Sequence, residues 1–527
     1  MTPRRAVLVA GLVAALGACA VGPHYRAPAP DMPPNFAAAD GAARGGAAPA
    51  GAAATGRGAA PVDLAAWWKS LDDPELDSLM ERAVRSNPDI EIALARLQQA
   101  RTYVSVVAGH ALPEIDASGA AARGTGSDLS RGRAQQALVS ADNGSGLQHI
   151  NTLVGVDTVW QLDLFGKYRR EIEAARDDAQ AAMAARNAVL TGVLANVARA
   201  YVDLRGFQMQ LGVLHRAQGV LRESLRIVTL RYQRGITNEL DVALAKRELE
   251  TLQAQIQPLE AQQSAAEYTI AVLLGQYPEQ LTAELGKPNL VPSVPGPAEP
   301  GTPVELLRRR PDVRQAERQL ASATARIGVA TASLFPQVAA VASIGSEGQG
   351  WGTVPALGKH LWSFGPAALW PVLDFGALDA QVDMAQIEAR ASLVSYRKTL
   401  LNAVQSVDTA LDDYNAEQDR LRHVGEALLA GQRAVDLANQ RYDRGLTDFL
   451  NVVDAERQYY DLQEQYTAAQ VSEAEHFVDL YESLGGGWQN YTDVPAIRRP
   501  QPAIIAVFRR VLTDPWSAPD PKALQSP

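Results

Sequence analysis

The feature that most constrains this sequence is that it is written twice. Asn87-Pro88-Asp89 and Leu112-Pro113 return 223 residues later as Arg310-Pro311-Asp312 and Phe335-Pro336. Trp160, Phe165 and Gly166 return 210 residues later as Trp370, Phe375 and Gly376. At that second offset Arg231-Tyr232-Gln233-Arg234-Gly235 becomes Arg441-Tyr442-Asp443-Arg444-Gly445, and Leu274-Gly275 becomes Leu484-Gly485. Landmarks in one order at a nearly constant offset mark an internal duplication, and a duplicated unit folds as two copies of one arrangement. The fall from 223 to 210 places thirteen extra residues between Pro113 and Trp160 of the first copy. By length alone 527 residues suggest three or four domains. The repeat divides them instead into a first copy over 64–277, a linker over 278–303 with seven prolines, and a second copy over 304–488. An Ala/Gly/Pro-rich spacer at 37–62 precedes the repeats, and a tail at 489–527 follows them.

Within each copy the hydrophobic period changes twice. Residues 88–110 and 311–335 read as helices, each closed by a proline that cannot continue the helical ladder. In Val154–Leu164 the even positions are apolar except Thr158, and the odd positions include Asp157, Gln161 and Asp163. Period two means a strand with one apolar and one polar face. Partner strands are expected after Pro113 and Pro336, joined by Gly/Ser-rich connections. In the second copy the connection reads as Gly345–Gly352, and the returning strand holds Trp362, Phe364, Trp370 and Val372. Each copy thus offers one hairpin, and the chain four strands.

Two proline-free runs follow, Lys167–Arg234 and Ala377–Arg444. As helices they would each reach ~100 Å. The second carries a seam at Val382, Ala385, Ala389, Leu393, Tyr396, Leu400, Val404, Val407, Leu411 and Tyr414. The first carries Leu190, Leu194, Val197, Tyr201, Leu204, Leu211, Leu214, Leu221, Leu225, Val228 and Tyr232. Spacings of three and four sustained this long predict coiled coil. Each run ends at the Arg-Tyr-x-Arg-Gly motif and turns into a second helix, over 238–274 or 448–484. The expected fold class is mainly α with a membrane β part, each repeat being a β-hairpin plus long antiparallel coiled-coil helices.

The alanine-rich composition, 47% apolar, agrees with long helices and excludes a mainly disordered chain. A net charge of −10 argues against a nucleic acid held by charge. The single cysteine, Cys19, excludes a disulfide framework and a cysteine zinc site. It follows Arg4-Arg5 and an apolar stretch from Ala6 to Leu16, which reads as a signal peptide over 1–18. That stretch spans only ~16 Å as a helix, short of the ~30 Å hydrocarbon core. Leu16-Gly17-Ala18-Cys19 resembles a bacterial lipobox, which implies cleavage after Ala18 and lipidation of Cys19, with palmitate among its lipids. By the same resemblance Ala20, in place of Asp, favours the outer membrane. Loss of Arg4 and Arg5 would take the net charge from −10 to −12.

Four amphipathic strands of ~10 residues suit a bilayer crossing. They cannot close a barrel, which needs about eight, and open sheet edges are not tolerated in lipid. The chain must therefore oligomerise, and three copies would bring twelve strands and leave an open lumen. The helices would project away from the membrane on the periplasmic side. A shared barrel continued by a helical tube is a conduit.

The sequence resembles the TolC-like outer membrane efflux proteins, most closely the NodT-type lipoprotein branch that serves resistance–nodulation–division pumps. The resemblance rests on Cys19-Ala20-Val21-Gly22-Pro23-His24-Tyr25, Trp67-Trp68 with Asp73-Pro74-Glu75-Leu76, Asn87-Pro88-Asp89-Ile90, Arg308-Arg309-Arg310-Pro311-Asp312-Val313, Leu373-Asp374-Phe375-Gly376 and the paired Arg-Tyr-x-Arg-Gly motifs. It implies a homotrimer with a twelve-stranded barrel in outer membrane lipid and a helical periplasmic tunnel. It also implies docking to a periplasmic adaptor and a proton-driven inner membrane transporter, for export of drugs or other small toxic compounds. On the same ground Arg231, Tyr232, Gly235, Arg441, Tyr442 and Gly445 are adaptor-docking tip residues. Asp454 matches an aspartate lining the closed periplasmic end in relatives. Asn451 stands where relatives often carry a second acidic ring, and Asp241 is expected to pair with tip residues to hold the closed state. Crowded carboxylates resist ionising together and attract cations.

Other functions find little in the sequence. Glu473-x-x-His476 occurs once, whereas a di-iron bundle needs two such motifs. Ser395-x-x-Lys398 lies inside the heptad seam without its partner motifs. Gly348-x-Gly350-x-Gly352 falls in a strand connection rather than before a helix. The expectation is no enzyme, no cofactor and no metal site. The competing readings are a type I secretion conduit and a structural coiled-coil periplasmic lipoprotein. The six methionines do not cluster, which offers no support for a copper or silver route.

Overall fold

A computed structural model of the chain describes residues 20–29, 32–37, 62–123, 150–295, 302–349 and 359–492. The signal peptide, Cys19, nearly all of the spacer, the strand connections at 124–149 and 350–358, and the tail beyond 492 lie outside the described residues. The last four described residues carry a single 3₁₀ turn, Gln489–Tyr491.

In the first repeat α1 (Pro74–Ser86) and α2 (Pro88–His110) lead into β1 (Glu114–Arg123) and β2 (Ile150–Leu162), then α3 (Lys167–Gln233) and α4 (Glu239–Leu273). In the second, α5 (Pro303–Arg309) and α6 (Pro311–Ala332) lead into β3 (Gln337–Gln349) and β4 (Lys359–Leu369), then α7 (Ala377–Asp443) and α8 (Phe449–Ser483). α3 and α7 are both 67 residues long, or ~100 Å.

Opposite each long helix lie two shorter ones set end to end. The half of α3 next to the sheet packs against α2 and α6, and its other half against α4 through Leu211, Leu221, Leu249, Leu252 and Ile256. α7 packs against α6 and then α8. The joints are built alike in both repeats. Asn87 caps α2 by accepting from the Asp89 and Ile90 amides, and its Nδ2 donates to the Leu273 carbonyl at the end of α4, 2.7 Å away. Arg310 stands at the equivalent place and donates Nη1 to the Ser483 carbonyl at the end of α8, also 2.7 Å. The end carbonyls of a helix have no partner within it, so these side chains, with Ser86 donating to the Leu274 carbonyl in the first joint, satisfy carbonyls that the next helix would otherwise bury.

A belt surrounds these joints. The 3₁₀ helix Leu64–Leu71 buries Trp67 and Trp68, with Trp67 stacked on Tyr481 at 6.0 Å between centroids. Tyr201 on α3 donates to Asp73, the cap of α1, at 2.6 Å. The fully buried Arg205 pairs with Glu75 at 2.6 Å and donates to the Lys287 carbonyl at 2.8 Å. Gln208 holds the Leu285 carbonyl, and Tyr414 the Pro295 carbonyl. The described part of the proline-rich linker is thereby bolted along α3 and α7.

The four strands form one antiparallel sheet in the order β1-β2-β3-β4. The two hairpins are therefore joined by β2 pairing with β3, in register from Asn151 opposite Gln349 to Leu162 opposite Val338.

Several boundaries differ from the sequence expectation. The helix expected over 311–335 stops at Ala332, and Ser333, Leu334 and Phe335 close it with tighter i to i−3 hydrogen bonds. Pro336 follows, and a residue before proline is pushed out of the helical region. Gly345–Gln349 belong to β3 rather than to the connection, because the ladder to β2 continues through Gly345 opposite Gly155. Trp370 and Val372 lie beyond β4, whose pairing ends at Leu369 opposite Gln337, the first residue after Pro336. Tyr232 is 42% exposed and leaves the seam that the rest of its series occupies.

Candidate functional site

The sheet separates its side chains by register. Residues directly opposite in an antiparallel pair point to the same face. One face collects Ile115, Ala117, Val154, Val156, Trp160, Val338, Ala340, Ala342, Ile344, Trp362, Phe364 and Ala368. Trp362 and Phe364 are each 78% exposed in the single chain. The other face collects Glu114, Asp116, Ser118, Asp157, Gln161, Gln337, Ser343 and Ser363, with Val159, Val341 and Leu369 among them. Its polar groups bond to one another: Ser118 donates to Asp157 at 3.1 Å, Gln161 to Gln337 at 3.0 Å, and Ser343 pairs with Ser363 at 2.7 Å. An apolar outer face and a wet inner face are what a lumen-lining membrane sheet needs. At the end of the sheet nearest the helices Trp160 and Trp370 repeat one contact, each indole donating at 3.1 Å to a carbonyl just past the end of the preceding helix, Ala111 or Leu334. Phe165 and Phe335 stack between the repeats at 4.7 Å.

The distal ends of the hairpins are the second part of the site. Gly235 closes α3 with φ +71°, the Ile236 amide reaching back to the Arg231 carbonyl and the Gly235 amide to the Tyr232 carbonyl, both 2.9 Å. Gly445 closes α7 identically with φ +68°, through Leu446 to Arg441 and Gly445 to Tyr442. This left-handed closure suits glycine because no Cβ meets the following carbonyl. Of the six expected tip residues, Arg231 and Tyr442 face each other across the two hairpins, the guanidinium carbon 4.7 Å from the ring centroid. Tyr442 also leans on Phe449 at 5.4 Å. Tyr232, Gly235, Arg441 and Gly445 are exposed.

The expected gate residues are spread along the starts of α4 and α8. Asp241 accepts a hydrogen bond from Thr237, and its amide is capped by Asn238. Asn451 donates to Thr447 at 2.8 Å, the equivalent pair in the second repeat with donor and acceptor exchanged. Asp454, half-exposed, accepts from Arg457 and Gln458 on its own helix. Asp241 is thus tied within its own tip.

Sequence reasoning missed Arg170, whose side chain is 2% exposed. It receives the N-terminal segment, donating Nε to the Val21 carbonyl at 3.1 Å and Nη2 to the Gly22 carbonyl at 3.2 Å, and it pairs with Glu173 at 2.8 Å. Gly22, at φ +89°, lies against Gly328 so closely that a Cβ there would sit 2.5 Å from the Gly328 Cα. Tyr25 donates to Glu317 at 3.0 Å and lies under the Arg318 guanidinium. An arginine among charged helix neighbours carries no period or motif that would have announced this role. Among the described residues no group of three or more His, Cys, Asp or Glu is placed to hold a metal ion.

This geometry matches known proteins. The family model for the outer membrane efflux protein covers residues 79–276 and 302–486, one match per repeat. The chain is 30% identical to nodulation protein T of Rhizobium leguminosarum bv. viciae, over 90% of this chain and 92% of that protein. It is 30% identical to the toluene efflux pump outer membrane protein TtgI of Pseudomonas putida, over 90% of this chain and 96% of that one. The solved outer-membrane channel OprN superposes with a TM-score of 0.77 at 33% identity, covering 89% of this chain and all of that one. With two repeats, a small membrane sheet and a long helical bundle in common with these channels, the chain belongs to the outer membrane efflux protein family.

Proposed function

We propose that the chain is the outer membrane channel of a tripartite efflux pump, a homotrimer anchored by lipid on Cys19. The observation that carries this is the open sheet: four strands with an apolar face, ending at β1 and β4 with no further strand among the described residues. Unpaired strand edges cannot rest in hydrocarbon. Edge-to-edge closure of three copies satisfies them and sets the polar face toward a shared lumen. The signal peptide over 1–18, the lipidated segment and spacer over 19–63, and the two repeats then deliver the sheet to the outer membrane and the helices to the periplasm.

In this reading the tips carrying Tyr232, Gly235, Arg441 and Gly445 meet a periplasmic adaptor, which links the channel to a proton-driven inner membrane transporter. The Arg231–Tyr442 contact holds the tips together. Asp454, repeated by threefold symmetry, supplies an acidic ring at the periplasmic end, and Asn451 leaves the second position uncharged. Relatives are named for toluene efflux and for pyoverdine export, so the cargo follows from the pump that the channel serves. The test is purified full-length protein in planar bilayers. Trimeric mass with discrete conductance steps supports the reading, and a monomer that conducts nothing sinks it. Cys19→Ser should leave the protein without its lipid, read by mass. Asp454→Ala should weaken block by added cations.

A further inference from the structure

Between the tips and the belt two buried apolar clusters join the hairpins, and beside them opens a groove lined by Gln210, Glu248, Thr251, Gln255, Arg457 and Tyr460. Nearer the tips Val228, Ala245, Phe449, Val452 and Val453 form one cluster. Nearer the belt Leu221, Leu249, Leu252 and Ile256 form the other, against which Tyr460 packs. Glu456 stands between them on α8, one turn from Val453 and one turn from Tyr460. It is 5% exposed, and its Oε2 is buried without a hydrogen-bond partner.

A buried carboxylate needs a cation or several donors, and without them it takes a proton. The charge set against Glu456 from α4 is another acid, Glu248, itself paired with Arg247 at 3.6 Å. On α8, Arg457 is engaged with Asp454, and Tyr460, one turn further on, is the tyrosine that feels the Glu456 charge. The charged residues of α3 near this level, Arg222, Glu223 and Arg226, are exposed, as are Arg433 and Asp436 of α7.

We propose that Glu456 is a proton-operated latch on the seam between the two helical hairpins: carrying a proton it lets α8 pack against α4, and losing it drives the two helices apart. The driving force is hydration of a carboxylate that the closed seam leaves dry and set against Glu248. Burial first, and Glu248 second, push the Glu456 carboxyl up to about 7. The sign follows from linkage. The closed seam binds more protons than the open one between the ordinary glutamate range and that value, so closure weakens as pH rises through it. The consequence for flow rests on the proposed channel function, but the latch itself does not.

The experiment is hydrogen exchange on the detergent-purified full chain at pH 6 and pH 8.5, corrected for intrinsic rates, following peptides of α4 and α8 around Glu248 and Glu456. The native protein should lose roughly tenfold or more of its protection at the higher pH. Glu456→Gln, which mimics the protonated form, should stay protected at both. Glu248→Gln should move the transition to lower pH, and this shift decides the matter if the first variant fails to fold. Equal pH dependence in the native protein and Glu456→Gln, no pH dependence in either, or no shift in Glu248→Gln would overturn the latch. A seam that opens in a protein that conducts nothing would sink the channel reading and leave the latch standing.

Discussion

Arg231, at the end of α3, lies over the ring of Tyr442, at the end of α7, with 4.7 Å from its guanidinium carbon to the ring centroid. The two residues come from different repeats and occupy neighbouring positions in the duplicated Arg-Tyr-x-Arg-Gly motif. Each copy thus gives a different member of the motif to the contact, and the other two, Tyr232 and Arg441, face outward. A cation over an aromatic face is worth about 0.5–2 kcal/mol, the lower end applying at exposed sites. Arg231→Ala and Tyr442→Ala should each raise open probability in bilayers, and the double variant should add little beyond either. Full additivity would show that the pair is not coupled.

The joints between stacked helices are expected to be the more costly places to cut. Asn87→Ala removes a helix cap and leaves the Leu273 carbonyl without its donor. The two losses come to about 2–3 kcal/mol. Asn87→Asp keeps the cap and loses only the donor, so its melting temperature should fall between those of the native protein and Asn87→Ala.

The two faces of the sheet should respond oppositely to one charge. Phe364→Arg puts a cation on the apolar face, at about 2–4 kcal/mol near the bilayer midplane. It should reduce membrane-inserted protein. Ser363→Arg, one residue away on the polar face, should insert normally and lower single-channel conductance. Equal insertion of both variants would contradict the face assignment.

Arg170→Ala should release residues 20–25 from α3 and α6. It removes the donors to the Val21 and Gly22 carbonyls, and hydrogen bonds to a charged group are worth roughly 1.5–3 kcal/mol each. Limited proteolysis should then cut next to Arg26 at a dilution of protease that leaves the native segment intact.

Acid residues between α3 and α8 set a pH dependence separate from the latch. Burial, and then the facing Asp203, push the Glu475 carboxyl up to about 7, and burial raises Asp203 as well. The folded pair holds a proton that the unfolded chain releases above the ordinary carboxylate range. Its stability is therefore fully present below about 4.5 and is lost as pH rises through about 7. Melting temperature should fall between pH 5 and pH 8, and Glu475→Gln should flatten that slope.

The duplication, the long helices and the alternation of the strands are all legible in the sequence, because each depends on residues two, three or four positions apart. The seam from Ala389 to Tyr414 is an example: its buried members Tyr396, Leu400, Val407 and Leu411 follow the period read from the chain alone. Boundaries were less legible where pairing decided them, as at Gly345–Gln349, which a local reading takes for a turn and the β2 ladder holds as strand. Only the tertiary structure brought the two repeats together. β2 pairs with β3 across almost two hundred residues of chain, Arg231 meets Tyr442, and Asn87 and Arg310 close joints with helices that end far along the sequence. It alone turned Glu456 from one polar residue in a helix into a buried carboxyl whose Oε2 has no hydrogen-bond partner. The reason is physical: periodicity records which face of an element is buried, and the partner that covers that face is set by packing between elements.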